Sequence, residues 1–421
     1  MQRLQKHSYF IGSREKRQQR RQTKKKKNKK NIKHNKNLPT IALLSAGGTI
    51  ASKVDYTTGG VSAELNGEDY MEMIPELAQT ANITTTKVLD IMSEDITKED
   101  WLKLSKETLK AIKETDGAII THGTDTLHYT SAALSFLLNK TNKPIILTAA
   151  QRSIDRGSSD AFLNLLCSVR ATIELKKQKI SGVFVCMHAN PSDEYCYLIR
   201  GTNTRKMHTS RRDAFRPINN IPFAKVYTDR IELTEETTEK KTEEILISTK
   251  ITNKENEANS KTNKTTNHTN STDNSDFKID GSFEDAGIIK VYPSMKPEII
   301  DFYKKTGIQG LLIEATGLGN IPKTLAEKLE NIKIPVVITS QTIYGRVHPF
   351  VYSNLRELSI KLKCIFTENM TPETAYIKLM WALSKTKNLK TPEEKISETK
   401  KIMLTNTAGE ISERSSMEFL I

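Results

Sequence analysis

Cysteine is scarce in this chain. There are four in 421 residues, Cys167, Cys186, Cys196 and Cys364, and no two stand as Cys-x-x-Cys. That spacing argues against both a zinc-ribbon site and a disulfide framework. Sparse cysteine in a chain this long fits a reducing cytosol, and a cytoplasmic location is expected. No run of about 18 apolar residues occurs, so no membrane-spanning helix is expected. The N-terminal stretch lacks the apolar core of roughly 7–15 residues that a secretion signal needs. Apolar residues make up 37% of the chain, which is low for a globular protein and points to polar segments diluting the folded parts. The net charge of +14 is not spread over the protein. The first 37 residues hold 15 Lys or Arg against one acid, Glu15, while the rest balances 49 basic residues with 49 acidic ones.

What is present falls into five parts. Residues 1–38 form a basic arm, REKRQQRRQTKKKKNKKNIKHNKN at its centre, with almost nothing to bury and an expectation of disorder. It suits phosphate contacts with RNA, or is a solvated tail, or marks a start site placed too far upstream. Residues 39–233 alternate strand and helix patterns. Residues 234–277 are rich in Thr, Asn, Lys, Glu and Ser and read as a disordered insertion or linker. The alternation returns in a smaller unit, 278–388, followed by a charged helical or irregular tail, 389–421. Short apolar runs at Ile41–Ser45, Thr86–Ile91, Gly117–Thr121, Pro144–Thr148 and Gly182–Met187 read as buried strands. The spacings in Trp101–Thr115, Ser131–Asn139 and Asp160–Leu175 read as helices. Such alternation predicts an α/β fold of two domains, with parallel sheets flanked by helices and the smaller domain C-terminal.

The organising stretch is IALLSAGGTIASKVDYTTGG, residues 41–60. An apolar strand runs into Gly47-Gly48 and delivers Thr49 to a strand's carboxyl end, where open α/β sheets place ligands. A threonine hydroxyl there is a candidate nucleophile once a base activates it. The same residues also read as a glycine turn with a helix-capping threonine. The second constellation is THGTDT, 121–126, at the end of another apolar strand. Thr124 and Asp125 set a hydroxyl beside a carboxylate, which orients a base or holds an ammonium, or else simply caps a helix. The third is RGTNTRKMHTSRRDAF, 200–215. Its Lys206 is a candidate base if desolvated beside other cations, or a solvated loop residue if not.

Together GGTIAS, HGTDT and the distant lysine resemble the bacterial-type L-asparaginase family, from about Leu38 to about Asn388. The resemblance implies Thr49 as nucleophile and Thr124, Asp125 and Lys206 as a second hydroxyl–carboxylate–lysine group. It implies Ser93 and Glu94, in IMSED, as substrate-binding residues and Gln151 and Arg152, in AAQRS, as a pocket-supporting turn. Tyr56 would be the tyrosine of the loop after the nucleophile. RKMHTSRRDAF, SQTIYGRVHPFVYS, TPETAYIKLMWAL and the terminal TAGEISERS narrow the resemblance to the D-type subunits of archaeal-type glutamyl-tRNA(Gln) amidotransferases. That family normally has a small β-rich domain ahead of the GGTIAS strand, where this chain has its basic arm.

The implied activity is a threonine-dependent amidase that releases ammonia from glutamine or asparagine, with no metal and no cofactor in this chain. An E-type partner subunit would use ATP and magnesium to convert Glu-tRNA(Gln) to Gln-tRNA(Gln) with that ammonia, in a heterodimer or heterotetramer. A stand-alone asparaginase or glutaminase shares the same residues. A non-catalytic RNA-binding protein with a retired amidase body would explain the arm but not the joint retention of Thr49, Thr124, Asp125 and Lys206.

Overall fold

A computed structural model describes residues 34–48, 50, 52–54, 61–63, 73–234 and 278–413, with backbone only for 52–54 and 61–63. Thr49, Tyr56, most of the basic arm, nearly all of the polar insertion and the last eight residues lie outside the described residues. The compact unit that carries both sheets runs Pro39–Ile421.

The chain enters the larger sheet with β1 (Thr40–Gly47), whose Ile41–Leu44 are all buried. A strand buried on both faces needs an unbroken apolar run, and this one has it. A short antiparallel pair, β2 (Ser52–Val54) and β3 (Val61–Ala63), follows. Then come α1 (Pro75–Thr80), β4 (Asn82–Ile91), α2 (Lys98–Glu114) and β5 (Gly117–Thr121). Helix α2 starts at a capping box in which the Thr97 side chain accepts from the Asp100 N–H and the Asp100 carboxylate accepts from the Thr97 N–H. It buries Trp101, Leu104, Ser105, Thr108, Leu109 and Ile112, one face at helical spacing. The sequence continues through α3 (Leu127–Leu137), β6 (Pro144–Thr148), α4 (Ala161–Lys177) and β7 (Gly182–His188).

Five strands, β4-β1-β5-β6-β7, are parallel in that spatial order. Beyond β7 the sheet turns antiparallel through β8 (Cys196–Arg200), β11 (Ala224–Val226) and β12 (Ile231–Leu233). The five strands that carry the site form the parallel sheet expected from the alternation, and the sheet continues beyond them as an antiparallel edge. The edge strands are short, three to five residues each, so they lack the long apolar run that marks a buried strand. Between β8 and β11 the chain makes a separate two-stranded ribbon, β9 (Thr204–Lys206) paired with β10 (Phe215–Pro217).

The smaller sheet is parallel throughout: β13 (Ala286–Lys290), β14 (Gly310–Ala315), β15 (Val336–Ser340) and β16 (Ile365–Phe366), with α5 (Ile299–Thr306) and α6 (Lys323–Leu329) between them. Helix α7 (Pro372–Thr386) joins the two sheets. It is buried on nearly every face. Its Trp381 stacks on Phe136 of α3 at 5.4 Å between ring centroids, while its Leu379 and Leu383 belong to the core beneath β14 and β15. Helix α8 (Pro392–Leu404) and residues 405–413 then fold back on α7. The buried Lys378 ammonium pairs with the buried Glu410 carboxylate at 2.5 Å and donates to the carbonyls of Met403 and Thr405. The charged C-terminal stretch is thus fastened to the core as far as it is described.

Candidate active site

The order of strands decides where a ligand can sit. From β1 the chain leaves toward β4; from β5 it leaves toward β6. The two neighbours β1 and β5 therefore send their loops in opposite directions, and the crevice beyond their carboxyl ends is a topological switch point. The register sets Ser45 of β1 against Thr121 of β5 and Gly47 against Ile91 of β4. Three loops meet there: Gly47-Gly48, Ser93–Asp95 and His122–Thr126.

Their closeness depends on missing side chains. Gly48 has φ +82°, and a Cβ on it would lie 2.4 Å from Gly123 Cα and N. A Cβ on Gly123 would in turn lie 2.6 Å from Ser93 Cβ and 2.7 Å from Ser93 Oγ. Only glycine permits this stacking of Gly48 on the Gly123 backbone and of Gly123 on the Ser93 side chain. It leaves the Ser93 side chain buried against the Gly123 loop, with Glu94 exposed next to it.

The constellation expected from the sequence assembles here in part. Lys206, brought by β9, donates from Nζ to Thr124 Oγ1 at 2.8 Å and to Asp125 Oδ1 at 2.6 Å. The helix-capping alternative for Thr124 and Asp125 does not hold. Helix α3 begins after Thr126, whose hydroxyl donates not to the helix but to Ser93 O at 2.6 Å. Lys206 is likewise not a solvated loop residue, since its side chain retains only 10% exposure. Asp125 remains 64% exposed, so it faces the crevice rather than the core. Gln151 and Arg152 follow β6 at the same sheet edge. Their N–H groups are held by the buried Asp160 carboxylate, at 3.0 and 3.1 Å to Oδ1, while the buried Gln151 Nε2 has no hydrogen-bond partner. Among the described residues no group of three or more His, Cys, Asp or Glu side chains is disposed to hold a metal ion.

Behind these residues lies a supporting network that sequence reasoning missed. His122 is buried, and desolvation holds its imidazole near pKa 4, so it is neutral. Its Nδ1 lies 2.7 Å from Gly123 O, which can only accept, so Nδ1 carries the proton. Nε2 must then accept from the Thr130 hydroxyl at 3.0 Å, and Thr130 Oγ1 accepts in turn from Trp101 Nε1 at 3.0 Å. The chain Trp101–Thr130–His122–Gly123 ties α2 and α3 to the carbonyl at the centre of the loop. His128, in the first turn of α3, is also buried and is held near pKa 3 by desolvation first and by the Arg205 and Lys206 charges second. Its Nδ1 has no hydrogen-bond partner.

Comparison with known proteins gives the family. Residues 40–239 match the family described as "Asparaginase, N-terminal" and residues 286–394 the "Glutaminase/Asparaginase C-terminal domain". The thermostable L-asparaginase from Thermococcus kodakarensis superposes with a TM-score of 0.70 at 27% identity, covering 89% of this chain and all of that one. Fold and family patterns together define an asparaginase-type amidohydrolase. Among curated relatives, the D-type subunit of glutamyl-tRNA(Gln) amidotransferase from Pyrococcus furiosus is 42% identical over 383 residues, 90% of this chain and 78% of that protein. Its counterpart from Methanothermobacter thermautotrophicus is 39% identical over 387 residues, 91% of this chain and 79% of its own. The chain belongs to the family of glutamyl-tRNA(Gln) amidotransferase D-type subunits.

Proposed function

We propose that this chain is the glutaminase subunit of a tRNA-dependent amidotransferase, releasing ammonia for the amidation of Glu-tRNA(Gln). The observation that carries the chemistry is Lys206 Nζ within hydrogen-bond reach of both Thr124 Oγ1 and Asp125 Oδ1, at the crevice entered by Gly47-Gly48. Thr49, which follows that glycine pair, is the nucleophile. Its Oγ attacks the side-chain amide carbon, ammonia leaves, and a threonyl ester remains. Water then attacks the ester, its proton passing through the Thr124 hydroxyl to Lys206 Nζ as base and returning to the Thr49 oxygen as the ester bond breaks, and glutamate is released. Splitting the reaction replaces one high barrier with two lower ones. Asp125 orients the lysine. N–H groups beside Gly48 and Thr124 are the oxyanion donors, each worth about 3–4 kcal/mol in such sites. Ser93, Glu94, Gln151 and Tyr56 complete the substrate pocket.

The partner is an E-type subunit that binds Glu-tRNA(Gln) and carries the step requiring ATP and magnesium. The stand-alone asparaginase reading shares these catalytic residues. The amidotransferase reading is favoured because identity with the D-type subunit from Pyrococcus furiosus is 42% and with the solved asparaginase 27%. The deciding measurement is ammonia release from glutamine and from asparagine, with and without the E-type subunit and Glu-tRNA(Gln). Stimulation by partner and tRNA is expected; fast release that ignores both would make the chain a free amidase. Thr49→Ala and Thr124→Ala are each expected to abolish release with the fold intact.

A further inference from the structure

Lys206 does not belong to either large sheet. It ends β9, a three-residue strand whose only ladder among the described residues is to β10. Side chains therefore share in holding β9 and the turn before it, and several of these contacts come from α7 and the stretch after α8. The buried Thr374 hydroxyl of α7 donates to Thr202 O at 2.7 Å. The Thr202 hydroxyl donates to Ala408 O at 3.3 Å. The residue directly before Lys206, Arg205, meets Glu373 of α7 at 3.3 Å.

This last contact is an unusual place for an ion pair. The Glu373 side chain is 9% exposed and that of Arg205 23%. Burial pushes the Glu373 carboxyl up, and the Arg205 guanidinium only partly offsets it. Arg205 Nη1 and Glu373 Oε2 are both buried without hydrogen-bond partners, so the pair engages by one atom from each side and not as a fork. A pair made so sparingly in a dry place is a poor stabiliser, because lost hydration offsets most of the attraction. The groups packed around it place it on the path to the site. His128 of α3 feels both Arg205 and Lys206, and Tyr129, with its phenol pushed up to about 12, feels Glu373, Arg205, Glu314 of β14 and Tyr376 of α7. Facing Lys206 itself are Asp125, Thr124, His128 and, beyond it, His122.

We propose that Arg205 and Glu373 are positioning residues for Lys206, through which α7 of the smaller domain sets the catalytic lysine against Thr124. The inference rests on Lys206 acting in the reaction as described above. Glu373 anchors the guanidinium, the guanidinium fixes the end of β9, and the strand fixes Lys206. The pair also balances the charge beside the lysine, since Glu373 cancels a cation that would otherwise stand next to it.

The test uses the full chain assembled with its partner subunit, with kcat, KM, melting temperature and the pH profile of glutamine hydrolysis as readouts. Glu373→Gln and Arg205→Met are each expected to lower kcat about 10- to 100-fold with little change in KM, the size of loss that a small misplacement of a reacting group brings. Both should also lower the melting temperature. Glu373→Gln leaves an unbalanced cation beside Lys206 and should move the ascending limb of the kcat profile to lower pH. The double variant Arg205→Met/Glu373→Met replaces the pair with apolar side chains of similar volume and should regain thermal stability. If the pair positions Lys206, kcat stays low in the double variant. If it only holds the domains together, kcat returns with the melting temperature, and the proposal is overturned. Should the double variant not fold, Glu373→Gln decides alone: an unmoved pH limb overturns the proposal. Lys206→Ala separates this failure from a deeper one. Wild-type ammonia release in Lys206→Ala would remove the lysine from the mechanism itself.

Discussion

At the scale of single residues the site depends on groups that never meet the substrate. Thr130 is the clearest. Its hydroxyl accepts from the Trp101 indole and donates to the neutral His122 ring, whose other nitrogen pins Gly123 O. Thr130→Val would strand two buried polar groups, at about 1–3 kcal/mol each. It would also free the loop that carries Thr124 and Asp125. We expect Thr130→Val to lose stability in urea and to lower kcat for ammonia release, while Thr130→Ser retains both. Equal behaviour of the two variants would show that the hydroxyl chain is not what holds the loop. His122 is within reach of sequence reading, since it stands inside THGTDT, but a histidine one residue before a glycine carries no local mark of its tautomer or partner. Those come from Trp101 and Thr130, which stand on α2 and α3.

At the scale of elements, segments far apart in sequence form one latch. Arg346, in SQTIYGRV, pairs with Glu368 and donates to Ser412 O, both at 2.6 Å. Asn219 reaches Asn369 O and accepts from the Gly345 N–H, both at 2.8 Å. Lys378 of α7 pairs with Glu410 in TAGEISERS, and Glu410 also accepts from the N–H groups of Thr407 and Ala408. The motifs that narrowed the resemblance to the amidotransferase are therefore partners of one another. Burial lowers the proton affinity of Lys378, so its ammonium relies on Glu410. Breaking one side of such a pair leaves a buried charge uncompensated. Glu410→Gln is expected to cost about 3 kcal/mol in urea denaturation. A change below about 0.5 kcal/mol, the size of an ordinary surface substitution, would show that α8 and the stretch after it are not fastened by this contact.

For the whole molecule the two buried histidines predict an acid sensitivity. His122 is held near pKa 4 and His128 near 3, against 6.5 for an accessible imidazole. Both stay neutral in the folded chain while the unfolded chain takes up protons below 6.5. Stability is therefore present above pH 6.5 and falls as pH drops through 6.5 toward 4, by about 2 kcal/mol per histidine at pH 5. Urea titrations at pH 7 and pH 5 measure this fall, and His128→Leu should remove about half of it. A slope unchanged in that variant would place the effect elsewhere. The basic arm makes a separate prediction. Its charge is the whole of the chain's excess, so deleting residues 1–37 should leave glutamine hydrolysis unchanged and flatten the salt dependence of tRNA binding. An unaltered salt slope would make the arm a bystander.

Local pattern determined a good deal about this protein. The apolar runs that became β1, β5, β6 and β7, the helical spacing of α2, and the glycine pair at 47–48 are properties of neighbouring residues, and sequence reading reaches them directly. Two parallel strands with loops at the same edge follow from that alternation, and so does the meeting of the Gly47-Gly48 and HGTDT loops. Tertiary structure decided the rest. The antiparallel edge β8-β11-β12 and the β9–β10 ribbon are strands too short to show a period. The approach of Lys206 to Thr124 and Asp125 spans 82 and 81 residues of chain, and that of Arg205 to Glu373 joins β9 to α7 of the other domain. Such pairs are set by how the two sheets pack on α7, because a side chain's partner across the fold leaves no trace in the spacing of its own neighbours.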